Sequence, residues 1–555
     1  MLSRGRTGQD DLLAGPLRGE LLGAERLAER AREVARDQRL AAVPRGRAAA
    51  PLLVRLDGTR RLLEDAHARL TAAADRELDV GPAGEWLLDN YHVVQEHVRE
   101  VRESLPRDYY RELPELGGGP LAGYPRVYEI ATSLISHTEG RVDLQNVNLF
   151  VGAFQEVAPL SLGELWAVPA MLRLALIESV RRMSLRTVQR LDEVESADQW
   201  ATAILAAGEE GTEELRRALD TFVRGHPPLT PIFVSRFLQQ LRHGHGSFTA
   251  LVWIEQWIAE DGLRAEDASA RSSERLALTQ VMMANSITSL RAIAHMDWKR
   301  FVERQSRVEA ELRRDPADEY ARMTFATRDH YRHVVERIAK RTRTAEDAVA
   351  RLAIELAQAA ARERPDEPHR AHVGYHLVDD GLAELERRSG FRPTAGVALH
   401  RAMLRHPNVV FVGGVLAGTG VALAAVLWLA GAAAWTALPL VLLVALLPAA
   451  EIAVSVMNQL VTAFLPPRML PKLDLREHGV PAEFRTAVVV PTLFGSVAAV
   501  RDALESLEVQ FLANREAHLH FAVLSDFTDA PAETQPDDDA IVRAAVEGIR
   551  ALNTR

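Results

Sequence analysis

From Val409 to Ala450 the chain runs for 42 residues without a charged side chain, and the pattern of apolar and polar positions differs on either side of that run. Before it, from residue 1 to about 400, apolar residues recur at three- and four-residue spacing among Ala, Leu, Arg and Glu, which predicts nearly continuous helix. The clearest segments are Leu21 to Leu40, Leu52 to Arg76, Trp86 to Glu103 and Ala348 to Arg362. Turn compositions at Pro114 to Pro120, Gly225 to Pro228 and Arg364 to Asp366 break the pattern without reading as flexible linkers. No fixed-period repeat marks a solenoid.

The uncharged run is long enough for two bilayer crossings, since one takes about 20 apolar residues. Trp428, Gly431, the small residues Ala432 to Ala434 and Trp435 mark the expected turn. Glu451 closes the run, and Ile452 to Leu465 reads as a partly amphipathic helix along the interface. Arg401 and Arg405 precede the first span, Arg468 and Lys472 follow the second, and the turn carries no basic residue. Both flanks are therefore expected on the cytoplasmic side.

After the hairpin the period shortens. Thr486 to Leu493 is a β-branched run closed by Pro491, as expected of a buried parallel strand. Ser496 can cap a helix whose apolar face is Val497, Val500, Leu504, Leu507 and Phe511. His520 to Leu524 forms a second strand, which completes a β-α-β unit. Ligands of open α/β sheets gather beyond the carboxyl ends of the strands, where Pro491, Thr492 and Asp526 fall, with Asp529 three residues on. A carboxylate there can accept hydrogen bonds from a uracil or a ribose; it can equally belong to a solvated turn. Asp537-Asp538-Asp539 follows Pro536 and opens a helix from Ala540 to Leu552, where acids complement the helix dipole without a metal.

Charge and composition narrow the field. With 66 basic and 76 acidic residues the net charge is −10, which argues against nucleic acid as the main partner. There is no cysteine, so disulfides, thiolate metal sites and a cysteine nucleophile are excluded. The opening Met1 to Arg6 is basic and lacks the apolar core of a signal peptide, so the chain is expected to begin in the cytoplasm. His243 with His245, His330 with His333 and His372 with His376 could each contribute to a zinc site, but none has a third ligand that sequence can place. Trp253, Trp257, Trp298 and Phe301 have helical spacing and read as packing.

Several blocks are familiar as sequence: Glu85 to His92, Leu105 to Pro114, Leu121 to Tyr128, Gly163 to Arg173 and Tyr320 to Asp329. They resemble the N-terminal region of bacterial cyclic β-1,2-glucan synthases, and the resemblance runs from about residue 20 to the end of the chain. It implies a mainly α fold in three parts: a helical cytoplasmic domain (1–400), a transmembrane hairpin plus interfacial helix (407–465), and the opening β-α-β of a glycosyltransferase-A-like α/β domain (466–555). It also implies a multi-pass protein of the bacterial inner membrane with both termini cytoplasmic.

The implied reaction is transfer of glucose from UDP-glucose to a growing glucan, with a divalent cation (Mg or Mn) on the pyrophosphate. The segment looks like a family-2 glycosyltransferase, in which the Pro-Thr end of the first strand (Pro491, Thr492) and the Asp after the next (Asp526, or else Asp529) hold the uridine. The metal ligands, the catalytic base, the acceptor site and a phosphorylase-like region would all lie beyond residue 555, so this chain alone is expected to be inactive. The competing expectation is a membrane-tethered helical scaffold, or an inactive fragment, whose β-α-β has no catalytic task.

Overall fold

The computed structural model describes residues 19–41, 50–227, 229–243, 248–260, 265–431, 438–465, 469–476 and 479–554. Among them the helical expectation holds throughout the first 400 residues, where the only β pairing is a few isolated bridges such as Leu40 with Leu116. The chain divides into two compact units, residues 1–314 with 343–352 and residues 315–342 with 353–555.

Thirteen helices of the first unit are described: α1 (Ala24–Asp37), α2 (Pro51–Ala74), α3 (Gly81–Ser104), α4 (Arg107–Glu112), α5 (Arg126–His137), α6 (Leu144–Val157), α7 (Leu162–Glu210), α8 (Thr212–Arg224), α9 (Pro231–His243), α10 (Phe248–Glu260), α11 (Ala265–His295), α12 (Trp298–Gln305) and α13 (Arg307–Leu312). The 49-residue α7 is the axis of the unit and packs on α2, α3, α5, α9 and α11. At 1.5 Å per residue it is about 70 Å long. Its start is fixed by a capping box. The Ser161 side chain accepts from the Glu164 amide, and the Glu164 carboxylate accepts from the Ser161 amide. Glu164 also receives both arms of the Arg126 guanidinium at 2.5 and 2.8 Å, and the Tyr109 hydroxyl donates to the Gly163 carbonyl at 2.5 Å. Three of the resemblance blocks thus meet at one helix start.

The main core spans α1 to α7 with α11 and α12, and includes Leu87, Ile135, Phe150, Phe154, Leu165 and Met171. A second, smaller core gathers Phe222, Phe233, Phe237 and Ile254 around the far end of α7. Trp257 packs edge-on to Phe222 there, whereas Trp298 and Phe301 pack on each other against the main core. Trp257, Trp298 and Phe301 are therefore packing, as their spacing predicts, whereas Trp253 is 44% exposed and joins neither core.

The second unit opens with α14 (Phe325–Thr342) and receives the end of α15 (Glu346–Glu363). It continues through α16 (Val373–Val378), α17 (Leu382–Arg388) and α18 (Ala395–Arg405) into two long apolar helices, α19 (Pro407–Ala430) and α20 (Leu438–Phe464). Both are long and apolar enough to cross a membrane. Their outer faces are bare: Val409 and Leu443 are each 72% exposed and Trp428 is 82% exposed. An apolar surface of that extent suits lipid rather than water.

The two helices face each other through small residues. A Cβ at Gly418 would lie 3.1 Å from the Ala453 Cβ, and one at Gly414 would strike Met457. Ala432 to Trp435 of the expected turn, like Met1 to Arg6 and Arg468, lie outside the described residues. The stretch from Ile452 expected along the interface continues the second apolar helix, since α20 runs through Glu451 and over Pro448 to Phe464. Pro448 withholds one backbone donor, but the ladder resumes on both sides of it and keeps one 27-residue helix, about 40 Å long.

Beyond the hairpin, strands β1 (Thr486–Phe494) and β2 (Leu519–Phe527) pair in parallel and are joined by α21 (Val497–Ala513); α22 (Asp538–Asn553) follows. The β-α-β unit is as the sequence predicts.

Candidate strand-end site

The site is carried by a backbone that the helical part of the same unit holds in place. Thr324 donates its amide to the Lys472 carbonyl at 2.8 Å, Lys472 donates its own to the Thr327 hydroxyl, and Asp474 donates to the Arg322 carbonyl at 2.7 Å. Arg322 also reaches Glu483 at 3.3 Å. The Tyr320 to Asp329 block thereby anchors the segment that leads from the second apolar helix to β1. Behind it, the buried Asp315 accepts from His372 Nδ1 at 2.7 Å and from the amides of Val373 and Tyr320. Burial opposes ionisation there, yet the His372 hydrogen bond and those amides hold the carboxyl below its usual range.

In the sheet, Thr486 pairs with Leu519 and the register continues to Phe494 with Phe527. Alternation puts Val488, Val490 and Phe494 with Phe521 and Val523 on one face, which α21 covers. Phe494, Val500 and Ile541 are the buried centre of that contact, joined by Val497, Leu504 and Val523. Ser496 caps α21 as expected, its Oγ accepting from the Ala499 amide at 3.1 Å. Phe511 remains 43% exposed, although its ring meets Phe521 edge-on.

Two expectations are corrected here. The strand is not buried on both faces: the side bearing Val489, Leu493 and Leu524 is 49, 63 and 64% exposed. The described sheet has two strands, with helices on one side only. Nor do the strands stop at Leu493 and Leu524. The ladder extends to Phe494 and Phe527, so Asp526 lies within β2, opposite Leu493, rather than after it. Proline at an edge position removes one donor without ending the strand.

These shifts decide which candidates come together. Pro491 and Asp526 share the open face near the carboxyl ends, Thr492 points to the helix side opposite Ser525, and Asp529 lies past the strand, exposed. Asp526 Oδ1 accepts only from the amide of its neighbour Phe527 at 2.8 Å, which leaves lone pairs for a ligand. Gly495 and Thr528 adjoin at the same end, 3.4 Å from a Cβ built on the glycine.

The acidic triplet behaves as a helix start. Asp538 Oδ2 accepts from the Gln535 amide at 2.8 Å, and Asp538 and Asp539 fall in the first turn of α22. Among the described residues no three His, Asp or Glu side chains converge as metal ligands. Four of the paired histidines commit one ring nitrogen each to a carbonyl or a carboxylate: His243 to Gln239, His333 to Asp329, His376 to Arg370 and His372 to Asp315, while His372 Nε2 and His376 Nδ1 are buried without a hydrogen-bond partner among the described residues. His245 lies outside the described residues.

Sequence reasoning passed over two charged centres. In one, the buried Glu178 binds Arg55, Arg181 and Arg182 at 2.6–2.9 Å. Burial raises its pKa, but the hydrogen bond and charge of Arg181, and then Arg55, outweigh this and bring the carboxyl down to about 2. The i, i+3, i+4 spacing of Glu178, Arg181 and Arg182 signals the local pair; the contribution of Arg55 could not be read without the fold. The other is an arginine-lined cavity between α3, α7, α9 and α11.

No protein-family model matches the sequence. Among curated proteins, the chain is 33% identical over 497 residues to the cyclic beta-(1,2)-glucan synthase NdvB of Rhizobium meliloti (strain 1021). The match takes in 88% of this chain and 17% of that much longer protein. Over nearly its whole length, the chain is thus homologous to a region of a cyclic β-(1,2)-glucan synthase.

Proposed function

We propose that this polypeptide forms the N-terminal part of a membrane glucosyltransferase that polymerises glucose from UDP-glucose into cyclic β-1,2-glucan, and that its β-α-β end supplies one wall of the uridine pocket. The observation that carries this reading is the parallel β1-α21-β2 unit with Asp526 at its carboxyl end, next to a capped helix start, in a chain similar to a glucan synthase. Asp526 is the acceptor for the uracil or ribose, and Asp529 stands second to it. Pro491 shapes the open face, and Thr492 braces the strand from the helix side. The divalent cation of such an enzyme has no ligand set among the described residues. The remaining strands, the metal ligands, the base and the acceptor site belong to the rest of a larger polypeptide, and this chain alone transfers no glucose.

Calorimetry with UDP on the complete enzyme tests the assignment. A charge-assisted hydrogen bond contributes on the order of 1.5–3 kcal/mol, so Asp526→Asn weakens UDP and UDP-glucose about ten- to a hundredfold. Asp538→Asn leaves both unchanged, because its carboxylate serves the start of α22. Full affinity in Asp526→Asn, or a loss confined to Asp538→Asn, removes the proposal. The proposed topology has its own test. A reporter after Thr436, which lies outside the described residues, reads periplasmic, whereas reporters at Arg401 and Leu475 read cytoplasmic.

A further inference from the structure

Between α3, α7, α9 and α11 of the first unit lies a cavity of about 290 Å³ that the glycosyltransferase reading does not use. Three guanidinium groups line it: Arg186 and Arg190 one turn apart on α7, and Arg275 on α11. Arg190 is engaged by Asp79, at 2.7 Å to the carboxylate. Neither Arg186 nor Arg275 has a carboxylate partner among the described residues. Burial, together with the like charges of Arg275 and Arg182, pulls Arg186 below its ordinary value, as expected where positive charge gathers without a counterion.

The remaining wall is mixed. Val80, Gly81 and Ala83, at the start of the 24-residue α3, reach the cavity, and the Gly81 amide there is already taken by the Asp79 carboxylate at 2.8 Å. Ser272 adds a hydroxyl. The one carboxylate in the lining, Glu193, is held by neutral donors, the Gln189 amide at 2.9 Å and the Thr230 hydroxyl at 2.7 Å. Val80, Ile232 and Leu276 make one side apolar.

We propose that this cavity binds a small organic phosphate, its phosphoryl oxygens taken by Arg186 and Arg275, and its carbon part laid against Val80, Ile232 and Leu276. Two guanidinium groups arriving from separate helices suit a tetrahedral group with three free oxygens better than a planar carboxylate, which one guanidinium satisfies. The volume is near the lower end of ligand pockets, about 300–1,000 Å³, and larger than a bare phosphate fills. The ligand ties α7 and α11 together, so its binding raises the unfolding temperature of the first unit.

The probe is phenyl phosphate, titrated calorimetrically into the full chain in detergent, with inorganic phosphate and benzoate as comparisons. Phenyl phosphate binds saturably and more tightly than either. Arg186→Gln and Arg275→Gln each weaken it about tenfold or more, the loss of a charge-assisted hydrogen bond. Arg275 is exposed, so that variant stays folded even if Arg186→Gln does not. Glu193→Gln strengthens binding, which a merely structural role for the cluster would not produce. Asp526→Asn changes nothing here, so this site and the uridine site fail or stand separately. Absence of binding, an affinity indifferent to Arg275→Gln, or benzoate or inorganic phosphate binding as tightly as phenyl phosphate would overturn the assignment.

Discussion

Glu178 and Asp526 are both carboxylates, and their surroundings show how differently the two regions use the same group. Glu178 sits in the middle of α7 with three guanidinium groups on it and almost no contact with solvent. Asp526 stands on the open face of a two-stranded sheet and accepts one short bond from the next amide in the chain. The apolar residues follow the same division. Around α7 they interdigitate in a core that reaches nine helices, whereas Val489, Leu493 and Leu524 face outward. A charge so fully matched is part of the architecture, because removing one partner strands the others. A carboxylate with unused lone pairs at a strand end is available for recognition, which is why the functional reading rests on the region with the smaller core.

The sharpest way to break this comparison is to neutralise Glu178. Glu178→Gln leaves Arg55, Arg181 and Arg182 crowded without their counterion, and the loss is expected at about 3–5 kcal/mol, the range for breaking a buried pair. Thermal unfolding followed by circular dichroism reads it as a large fall in Tm. Asp526→Asn, measured alongside, leaves Tm where it was. Equal small effects at the two positions would mean that Glu178 is not the organising charge it is taken to be.

A second test uses pH in place of mutation. The folded Glu178 titrates at about 2, well below an unfolded glutamate near 4.3, so the folded state binds the proton less readily. Its contribution is fully present above the unfolded value and is lost as pH falls from about 4.5 through about 2, on the order of 3 kcal/mol in all. Asp315, likewise held low, loses its contribution in the same direction. Denaturant melts across that window should therefore show stability falling with acid, and the slope should be shallower in Glu178→Gln. An identical acid limb in the variant assigns the loss to other carboxylates.

The sequence made the helices legible because their periodicity is local. Leu52 to Arg76 is observed as Pro51–Ala74, and Trp86 to Glu103 as Gly81–Ser104. Ser496 announces its cap for the same reason, and the long uncharged run is visible by composition alone. Boundaries set by pairing were harder. Nothing local says that the second strand continues past Leu524 to Phe527, since that depends on Thr492 and Phe494 lying opposite. The exposed strand face was missed because an apolar β-branched run reads the same whether one side or both are covered. The arginine cavity was out of reach altogether, as it joins residues nearly 200 positions apart on separate helices.

The smallest expected effect tests the other half of the comparison. If the face bearing Leu493 and Leu524 is open, replacing either by threonine removes little packing, and threonine keeps the β preference of the strand. Leu524→Thr should therefore change stability by less than about 0.5 kcal/mol, the range for surface substitutions. Phe494→Ala, on the covered face of the same sheet and 4% exposed, should cost several times more. Hydrogen exchange of the β1 and β2 amides measures both locally, without depending on the rest of the chain. If Leu524→Thr destabilises the sheet as much as Phe494→Ala does, that face is covered in solution, and Asp526, which shares it, is less open to a ligand than its surroundings indicate.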